Sequence, residues 1–530
     1  MRWTALLLLA LAMFCSYVFM DILSPIKDLM QETRGWDSAS FGRMQGAEVF
    51  LNVYVFFLIF AGIILDKMGV RFTAVLSGAV MLFGGAIKFY ACSDAFIGTG
   101  LEAWFNTHLN WDGDIPIIGT ILPFAEGMPA SAKLAALGFM FFGCGCEMAG
   151  ITVSRGIVKW FKGRETALAM GSEMALARLG VATCMIFSPY FAKLGGEIHV
   201  DNAVKFGVVL LCIALIMFIV YFFMDKKLDA QTGEAEEKDD PFKVSDLGKI
   251  FSSLGFWLVA LLCVLYYSAI FPFQKYAVNM LQCNLDLTPA DPNTFWGGES
   301  VTWVQYLLML VVAAGSFSSN FIKKNKGLKY GLMGVAVVAL IVYCYMGYMR
   351  GTAETIFAVF PLLAVAITPI LGNYVDHKGK AASMLMLGSI LLVICHLTFA
   401  FVLPGVSAAS AAGGVVVAYV TILVLGASFS LVPAALWPSV PKLVDEKIIG
   451  SAYAAIFWIQ NIGLGLFPAL IGLVLNKTNK EGAAAHELDY TWALVMLAAL
   501  GIAALLISVY LKAVDKKKGY GLEEPNIKES

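Results

Sequence analysis

Long apolar runs separated by short polar stretches dominate the sequence. Such runs recur from Ala5 to Leu511, and a helix of about 20 residues is long enough to cross the roughly 30 Å hydrocarbon core of a bilayer. Division at polar and Gly/Pro punctuation predicts fourteen helices. They lie near residues 4–23, 43–65, 72–92, 132–157, 165–190, 203–224, 251–276, 300–322, 328–349, 353–374, 381–403, 414–437, 450–474 and 490–511. The pattern therefore predicts an all-α polytopic membrane protein.

The composition supports this fold class and excludes several functions. Charged residues make up 14% of the 530-residue chain and hydrophobic residues 59%, whereas soluble domains carry about 25% charged residues. The net charge of −1 and the lack of a basic stripe exclude a nucleic-acid partner. The ten cysteines are scattered without metal or disulfide spacing, and the sequence has no nucleotide-binding loop or nucleophile constellation. We therefore expect no cofactor, no metal and no enzymatic activity.

Positive charges are concentrated in alternate connections between the predicted helices. By the positive-inside rule these connections face the cytoplasm, which places both termini there. The basic residues are Arg2, Lys67, Arg71, Lys159, Lys162, Arg164, Lys323, Lys329, Lys378, Lys380, Lys442, Lys447 and Lys516–Lys518.

Two similar loops occur in distant parts of the chain. Residues 62–71 are GIILDKMGVR and residues 372–380 are GNYVDHKGK, so both contain a Gly-x-x-x-Asp turn. Repetition in corresponding places is typical of a transporter built from two similar halves, and both loops resemble the signature loop of the major facilitator superfamily. In each loop, the Asp can cap the next helix or pair with a basic group across the bundle. The candidate gate residues are Gly62, Asp66, Lys67, Gly69, Arg71, Gly372, Asp376 and Gly379.

The position of the second loop predicts the domain organisation. Two helices precede the first loop, but four helices of the second half precede Asp376, so two are extra. We place them in an inserted hairpin at the periphery. The predicted divisions are a six-helix bundle (1–224), a cytoplasmic linker (225–250), a seventh helix with its outer loop (251–299), the hairpin (300–349), the remaining helices (350–512) and a cytoplasmic tail (513–530). The external segment 93–131 is expected to cap the membrane interface.

Further matches to one branch of this superfamily lie at residues 16–21, 59–72, 160–163, 167–169, 178–180, 271–273 and 437–441. In these stretches the chain resembles the lysosomal dipeptide uniporter family known as major facilitator superfamily domain-containing protein one. The resemblance implies a transporter that moves dipeptides by alternating access without an obligatory coupling ion. Because the first helix begins almost at the N-terminus and leaves no room for a sorting tail, we expect the plasma membrane rather than the lysosome.

Two ionisable residues lie near the predicted membrane midplane. Glu147 is about 15 Å from the inner end of the fourth helix, and Arg178 is about 20 Å from the inner end of the fifth. Charged groups at this depth cost about 2.5–3.5 kcal/mol on insertion scales, so each requires a partner. A carboxylate can bind the ammonium of a dipeptide, and a guanidinium can bind its carboxylate. The alternative is a structural ion pair; the family resemblance favours the binding of substrate termini.

Four other charged residues have less central positions. We expect Glu173 to act as an indirect or proton-sensitive partner or to pair with Arg155, and Arg155 to contribute to gating. Asp21 is expected to cap or pair at the outer gate. Lys275 follows the break at Pro272, where it can meet a substrate carboxylate or extend outward to the interface.

Neutral polar and aromatic residues complete the predicted pocket. They suit a site that binds backbone termini and tolerates varied side chains, although packing between helices is the alternative for each of them. Two other functions stay open: proton-linked or exchange transport of small organic anions, and a receptor without transport. The residues are Tyr17, Asn52, Tyr54, Tyr266, Tyr267, Trp437, Gln460 and Asn461.

Overall fold

The computed structural model describes residues 1–112, 118–161, 166–232, 244–322, 325–444 and 449–526. Apart from an isolated bridge between Trp111 and Ala125, these residues form helices, turns and loops, which confirms the all-α prediction. They divide into unit 1, which holds Met1–Phe242 and Leu464–Ala485, and unit 2, which holds Lys243–Gly463 and His486–Ser530.

Unit 1 contains the first ten α-helices, and α1, α5, α8, α9 and α10 pack together. The helix α5 lies along α8, while α1 lies against both α9 and α10. The helices are α1 (Arg2–Met20), α2 (Lys27–Arg34), α3 (Ser38–Gly46), α4 (Phe50–Tyr54), α5 (Phe57–Cys92), α6 (Gly100–His108), α7 (Ile118–Ile121), α8 (Ala130–Phe161), α9 (Thr166–Ala192) and α10 (Val200–Thr232). Short 3-10 turns occupy Ser24–Ile26, Ala47–Val49 and Asp94–Phe96.

Small residues allow α5 and α8 to approach closely. A Cβ atom on Gly84 would overlap the carbonyl oxygen of Gly138, and one on Gly138 would lie 2.7 Å from the backbone nitrogen of Lys88. Two turns further along α8, a Cβ on Gly145 would lie 2.7 Å from Met81. Close backbone approach of this kind is the usual way in which membrane helices gain packing energy, because lipid supplies little hydrophobic drive for helix association.

Unit 2 contains the remaining helices, including the inserted pair. The helices α13 and α14 pack on each other, and α13 also contacts α16. The helices are α11 (Val244–Ser252), α12 (Leu254–Asn284), α13 (Glu299–Phe321), α14 (Lys326–Arg350), α15 (Ala353–Phe357), α16 (Val359–Lys378), α17 (Ala381–Leu397), α18 (Leu403–Ala409), α19 (Ala411–Leu443), α20 (Ile449–Thr478) and α21 (Thr491–Lys518). A π-helical turn at Thr398–Val402 joins α17 to α18, and the residues of α20 from Leu464 onward belong to unit 1.

The exact number of fourteen spanning helices is not confirmed. The described residues hold thirteen helices that are long and apolar enough to cross a membrane. The difference arises in the predicted second and third helices. Their residues form the short α3 and α4, followed by α5, which continues through a break at Gly69 with φ of 78°. Positive φ is accessible to glycine without strain, so the chain changes direction there without a separate loop.

The contact between α5 and α8 generates a stability prediction. Replacing Gly138 with Leu forces the two helices apart, and overpacking of this kind costs about 1–3 kcal/mol. Gly138→Leu should therefore lower the thermal unfolding midpoint of the purified protein, as measured by intrinsic fluorescence. Gly150→Ala is the matched control on α8, because a Cβ atom there would meet nothing within 4 Å. An unchanged midpoint for Gly138→Leu would contradict the role of this contact.

Candidate functional site

The two central charges of unit 1 lie close to a tyrosine of α1. Arg178 in α9 places its Cζ atom 5.8 Å from the centroid of the Tyr17 ring. The Tyr17 hydroxyl also lies within electrostatic range of Glu147, on α8, and of Glu173. All four side chains are partly buried. Three helices thus bring one cationic, two acidic and one phenolic group into one region of unit 1.

Local packing explains how α9 reaches Tyr17. A Cβ atom on Gly180, two residues beyond Arg178, would overlap the carbonyl oxygen of Phe14 and lie 3.3 Å from Cβ of Tyr17. The missing side chain lets the backbone of α9 rest on α1. With α9 held this close to α1, the Arg178 guanidinium lies within cation–π distance of the Tyr17 ring.

A second contact lies one turn from Glu147. The Asn52 amide donates to the carbonyl oxygen of Gly143 at 3.4 Å, and a Cβ atom on Gly143 would lie 3.2 Å from Cγ of Glu48. Sequence reasoning missed Glu48, although an acidic residue inside an apolar run is the same signal that identified Glu147. Asn52 is fully buried, whereas Tyr54 is 41% exposed. The structure therefore brings Asn52 into contact with the helix that holds Glu147, whereas Tyr54 is exposed.

The first signature loop is held by an ion pair. Arg155 Nη1 lies 2.6 Å from Asp66 Oδ1, with the two side chains 15% and 34% exposed. Of the two roles that the sequence allowed for Asp66, the structure shows pairing across the bundle. Of the two loop glycines, Gly69 has a positive φ, which glycine adopts without strain. A Cβ atom on Gly62 would meet nothing within 4 Å, and Lys67 is exposed.

Asp225 links three helices at the same end of unit 1, and the sequence prediction for it was wrong. We placed it in a solvated linker, but α10 continues through Thr232 and Asp225 is fully buried. It pairs with Lys159 at 2.7 Å, lies 3.9 Å from Arg71 and accepts from the indole of Trp160 at 2.9 Å. Asp229 completes the network, 3.1 Å from Arg71 and 2.8 Å from Lys159. Residues 233–243 of the predicted linker lie outside the described residues.

Asp21 belongs to a buried polar chain in unit 1. The Ser24 hydroxyl donates to Asp21 Oδ1 at 3.2 Å, and the Gln45 amide donates to Ser24 Oγ at 3.3 Å. Asp21 is 1% exposed. The chain links α1 to α3 through the 3-10 turn at Ser24–Ile26, which agrees with the expectation that Asp21 pairs or caps.

In unit 2, the aromatic candidates form one cluster. The Trp437 indole donates to the Tyr267 hydroxyl at 3.2 Å, and its ring centroid lies 4.8 Å from that of Phe457. Tyr267 also packs on Phe429, at 6.3 Å between ring centroids. The fully buried Tyr266 packs edge-on against Tyr267, at 6.4 Å between ring centroids, and its hydroxyl forms a hydrogen bond with Ser428 at 2.6 Å. Trp437 and Tyr267 therefore share one aromatic wall, whereas Tyr266 joins α12 to α19.

The polar candidates of unit 2 are all buried. Gln460 accepts from the Cys263 thiol at 3.3 Å, and its neighbour Asn461 is 3% exposed. Lys275 is 7% exposed and follows Pro272, inside α12. The fully buried His396 ring lies 3.0 Å from the Ala269 carbonyl oxygen through Nε2. Pro272 has no backbone N–H, so the helix lacks one backbone donor there. The His396 ring supplies a donor to the nearby carbonyl oxygen of Ala269.

The second signature loop has a different anchor. The Asn526 amide donates to Asp376 Oδ1 at 3.0 Å. The helix α16 ends at Gly379, with φ of 72°, whereas a Cβ atom on Gly372 would meet nothing within 4 Å. In both loops the glycine three residues after the Asp has a positive φ, and in the second loop Lys380 does as well.

A family comparison decides what kind of protein this is. Residues 9–353 match the family model described as Major Facilitator Superfamily. The chain belongs to the major facilitator superfamily. The described helices fit this assignment, because members of the superfamily are membrane transporters built from two bundles of helices. The family predicted from the two signature loops is thus confirmed.

Individual relatives have low sequence identity to this chain. The chain is 24% identical to the lysosomal dipeptide transporter MFSD1 of Bos taurus over 68% of this chain and 62% of that protein. It is 23% identical to the human protein of the same name over 68% of this chain and 63% of that protein. The match thus spans less than two thirds of each relative.

Two solved structures show the same fold. The nucleoside transporter NupG superposes with a TM-score of 0.57 at 12% identity, covering 96% of this chain and 99% of that one. A bacterial homologue of the human drug peptide transporters PepT1 and PepT2 gives a TM-score of 0.57 at 11% identity, covering 98% and 99%. At such identities the likeness establishes the fold alone.

The ion pair in the first loop gives a second prediction. Arg155→Gln leaves the Asp66 carboxylate without its 2.6 Å partner, and a hydrogen bond between charged groups contributes about 1.5–3 kcal/mol. The variant should unfold at a lower temperature and lose transport activity. Lys67→Gln, which removes an exposed positive charge beside Asp66, should keep the thermal midpoint of the wild type. Equal thermal midpoints for Arg155→Gln and Lys67→Gln would show that the pair does not stabilise the fold.

Proposed function

We propose that this protein transports dipeptides by alternating access, as a uniporter, with Glu147 binding the substrate ammonium and Arg178 binding its carboxylate. The supporting observation is the proximity of Arg178, Glu147 and Tyr17, contributed by three different helices of unit 1. The ammonium and the carboxylate of a dipeptide lie about one peptide unit apart. A dipeptide can therefore neutralise a carboxylate and a guanidinium that two helices hold at separate positions.

The comparisons support the same substrate class. The MFSD1 proteins of cattle and zebrafish, each 24% identical to this chain, are named lysosomal dipeptide transporters. Aromatic surfaces such as the Tyr267 and Trp437 cluster are suited to varied side chains, because they offer contact area without a specific charge. Specificity would then rest on the two charged termini.

The organic-anion alternative is weakened by one contact. That function would use the cationic residues Arg155, Arg178 and Lys275 to bind the anion. In the structure, Arg155 lies 2.6 Å from Asp66, so it is neutralised within the loop that we assign to gating. An anion transporter would have to break this pair in each cycle.

The names of the relatives bear on the membrane in which the protein works, and the distribution of basic residues bears on its orientation there. The relatives' names specify the lysosome, which weighs against our expectation of the plasma membrane. Both termini are proposed to face the cytoplasm, because the basic residues are concentrated on that side of the predicted topology.

Substitution of the two charged residues tests the binding proposal. A dipeptide at 100 times its Kd raises stability by about 2.7 kcal/mol, so it should shift the thermal midpoint of the wild-type protein. Glu147→Gln and Arg178→Lys should each abolish this shift while leaving the midpoint without ligand close to the wild-type value. Glu32→Gln, which alters an exposed carboxylate of unit 1, should leave the shift intact.

Modified ligands assign each terminus separately. An N-acetylated dipeptide lacks the ammonium, so Glu147→Gln should not weaken its residual binding further, whereas Arg178→Lys still should. An amidated dipeptide should give the opposite result. Wild-type dipeptide affinity in either variant would contradict the assignment.

Flux measurements test uniport. Purified protein in liposomes should bring a labelled dipeptide to equal concentrations inside and outside, and an imposed pH gradient should not change that end point. Uniport lowers only an existing concentration difference, so accumulation above the external concentration in response to the gradient would indicate proton coupling instead. Liposomes with the Arg178→Lys variant serve as the control for leakage.

A further inference from the structure

A short segment after α21 folds back onto the second signature loop. This segment, Gly519–Asn526, is called the strap. Its backbone carbonyls at Leu522 and Glu523 accept hydrogen bonds from the N–H groups of Ala381 and Lys380, at 3.0 and 3.2 Å. The Leu522 side chain is fully buried. The strap is therefore packed and hydrogen-bonded like a part of unit 2.

The side chain of Glu523 is the main anchor. Its two carboxylate oxygens accept from the backbone N–H and from the hydroxyl of Ser383, both at 2.8 Å. Lys512 donates to the same hydroxyl at 2.7 Å, and the Nζ atoms of Lys380 and Lys512 lie 3.7 and 3.9 Å from the carboxylate. These contacts place an anion in the first turn of α17, where the helix dipole and the unpaired N–H groups favour negative charge.

The loop is shaped to receive the strap. A Cβ atom on Gly379 would overlap the carbonyl oxygen of Glu523. Asn526 reaches Asp376, at the other side of the same loop, with a hydrogen bond of 3.0 Å. The strap thus binds the loop at its aspartate, at its glycine and at the first turn of the helix that follows.

The strap also holds the end of α19. Lys442 donates to the carbonyl oxygens of Gly521 and Glu524, at 2.9 and 3.1 Å. This end of the helix contains three prolines, at positions 433, 438 and 441. Each proline removes a backbone N–H and clashes with the preceding turn, so the last turns of α19 are weakly held by their own helix.

There is room for the end of α19 to move. An open groove of about 410 Å³ lies between it and the strap, lined by Pro438, Pro441, Lys442, Tyr520 and Glu524, among others. A space of this size beside a proline-weakened helix end is therefore compatible with displacement of that end.

We propose that the strap is a conformational latch: through Glu523 and its backbone carbonyls it ties the proline-weakened end of α19 to the second signature loop. While the strap is docked, the end of α19 and the first turn of α17 keep the arrangement seen here. When Glu523 leaves Ser383, both are released together. The latch thereby restrains a part of unit 2 that borders the proposed gate.

Hydrogen–deuterium exchange of the full-length protein tests the latch without any substrate. Glu523→Gln should accelerate exchange about threefold or more in two peptides at once, one covering residues 380–386 and the other covering 437–443. Ser383→Ala attacks the same contact from the other side and should produce the same pattern. Glu524→Gln removes the same charge from the next residue, which acts on Lys442 through its backbone carbonyl and its charge and has no hydrogen bond to Ser383 among the described contacts, so it is the matched control for the peptide covering residues 380–386.

The two peptides separate a latch from a simple helix cap. Faster exchange confined to residues 380–386, with an unchanged end of α19, would overturn the proposal, because it would mean that Glu523 only caps α17. Equal acceleration by Glu524→Gln would also overturn it, since the effect would then follow from net charge. Neither result depends on dipeptide transport, so failure of the proposed substrate leaves the test valid.

Discussion

The bilayer interior offers no water to solvate charges and backbone groups, and the structure follows from this constraint. An ionisable group there must find a partner within the protein, or it raises the free energy of insertion. At the helix ends beside the first signature loop, outside this interior, Arg155 pairs with Asp66 at 2.6 Å, and the buried Asp225 pairs with Lys159 and accepts from the indole of Trp160. Lys88, fully buried on α5, lies 3.6 Å from the centroid of the Phe139 ring. Charge pairing and cation–π contact therefore decide which helices stay together.

The same constraint explains why glycine appears where helices touch. Without a hydrophobic drive between helices, close backbone contact has to supply the packing energy. Gly84 and Gly138 let α5 meet α8, and Gly180 lets α9 meet α1 beside Arg178. The helices that hold Glu147, Arg178 and Tyr17 are thus positioned by residues that have no chemistry of their own. The binding geometry proposed here depends on that close packing.

The sequence predicted the fold well because long apolar runs have one stable solution in lipid. It also identified Asp66, from the repeated Gly-x-x-x-Asp loop, and Arg155, since charged residues are rare in apolar runs. It could not locate helix ends that depend on tertiary contacts. Asp225 resembles a linker residue in the sequence and is buried only because Lys159 and Trp160 lie opposite it. Glu48 was missed because no partner is adjacent to it in sequence, and the break at Gly69 within α5 is a matter of backbone torsion.

The two signature loops are anchored by different means. In unit 1 the anchoring acids, Asp225 and Asp229, are part of α10 itself. In unit 2, Glu523 and Asn526 come from a segment outside any helix. Loss of residues after Lys518 would leave every described spanning helix intact and still free the second loop, whereas the first loop cannot lose its acids without damage to a helix. Truncation or proteolysis can therefore remove the anchor of the second loop alone, whereas the anchor of the first loop is part of a spanning helix.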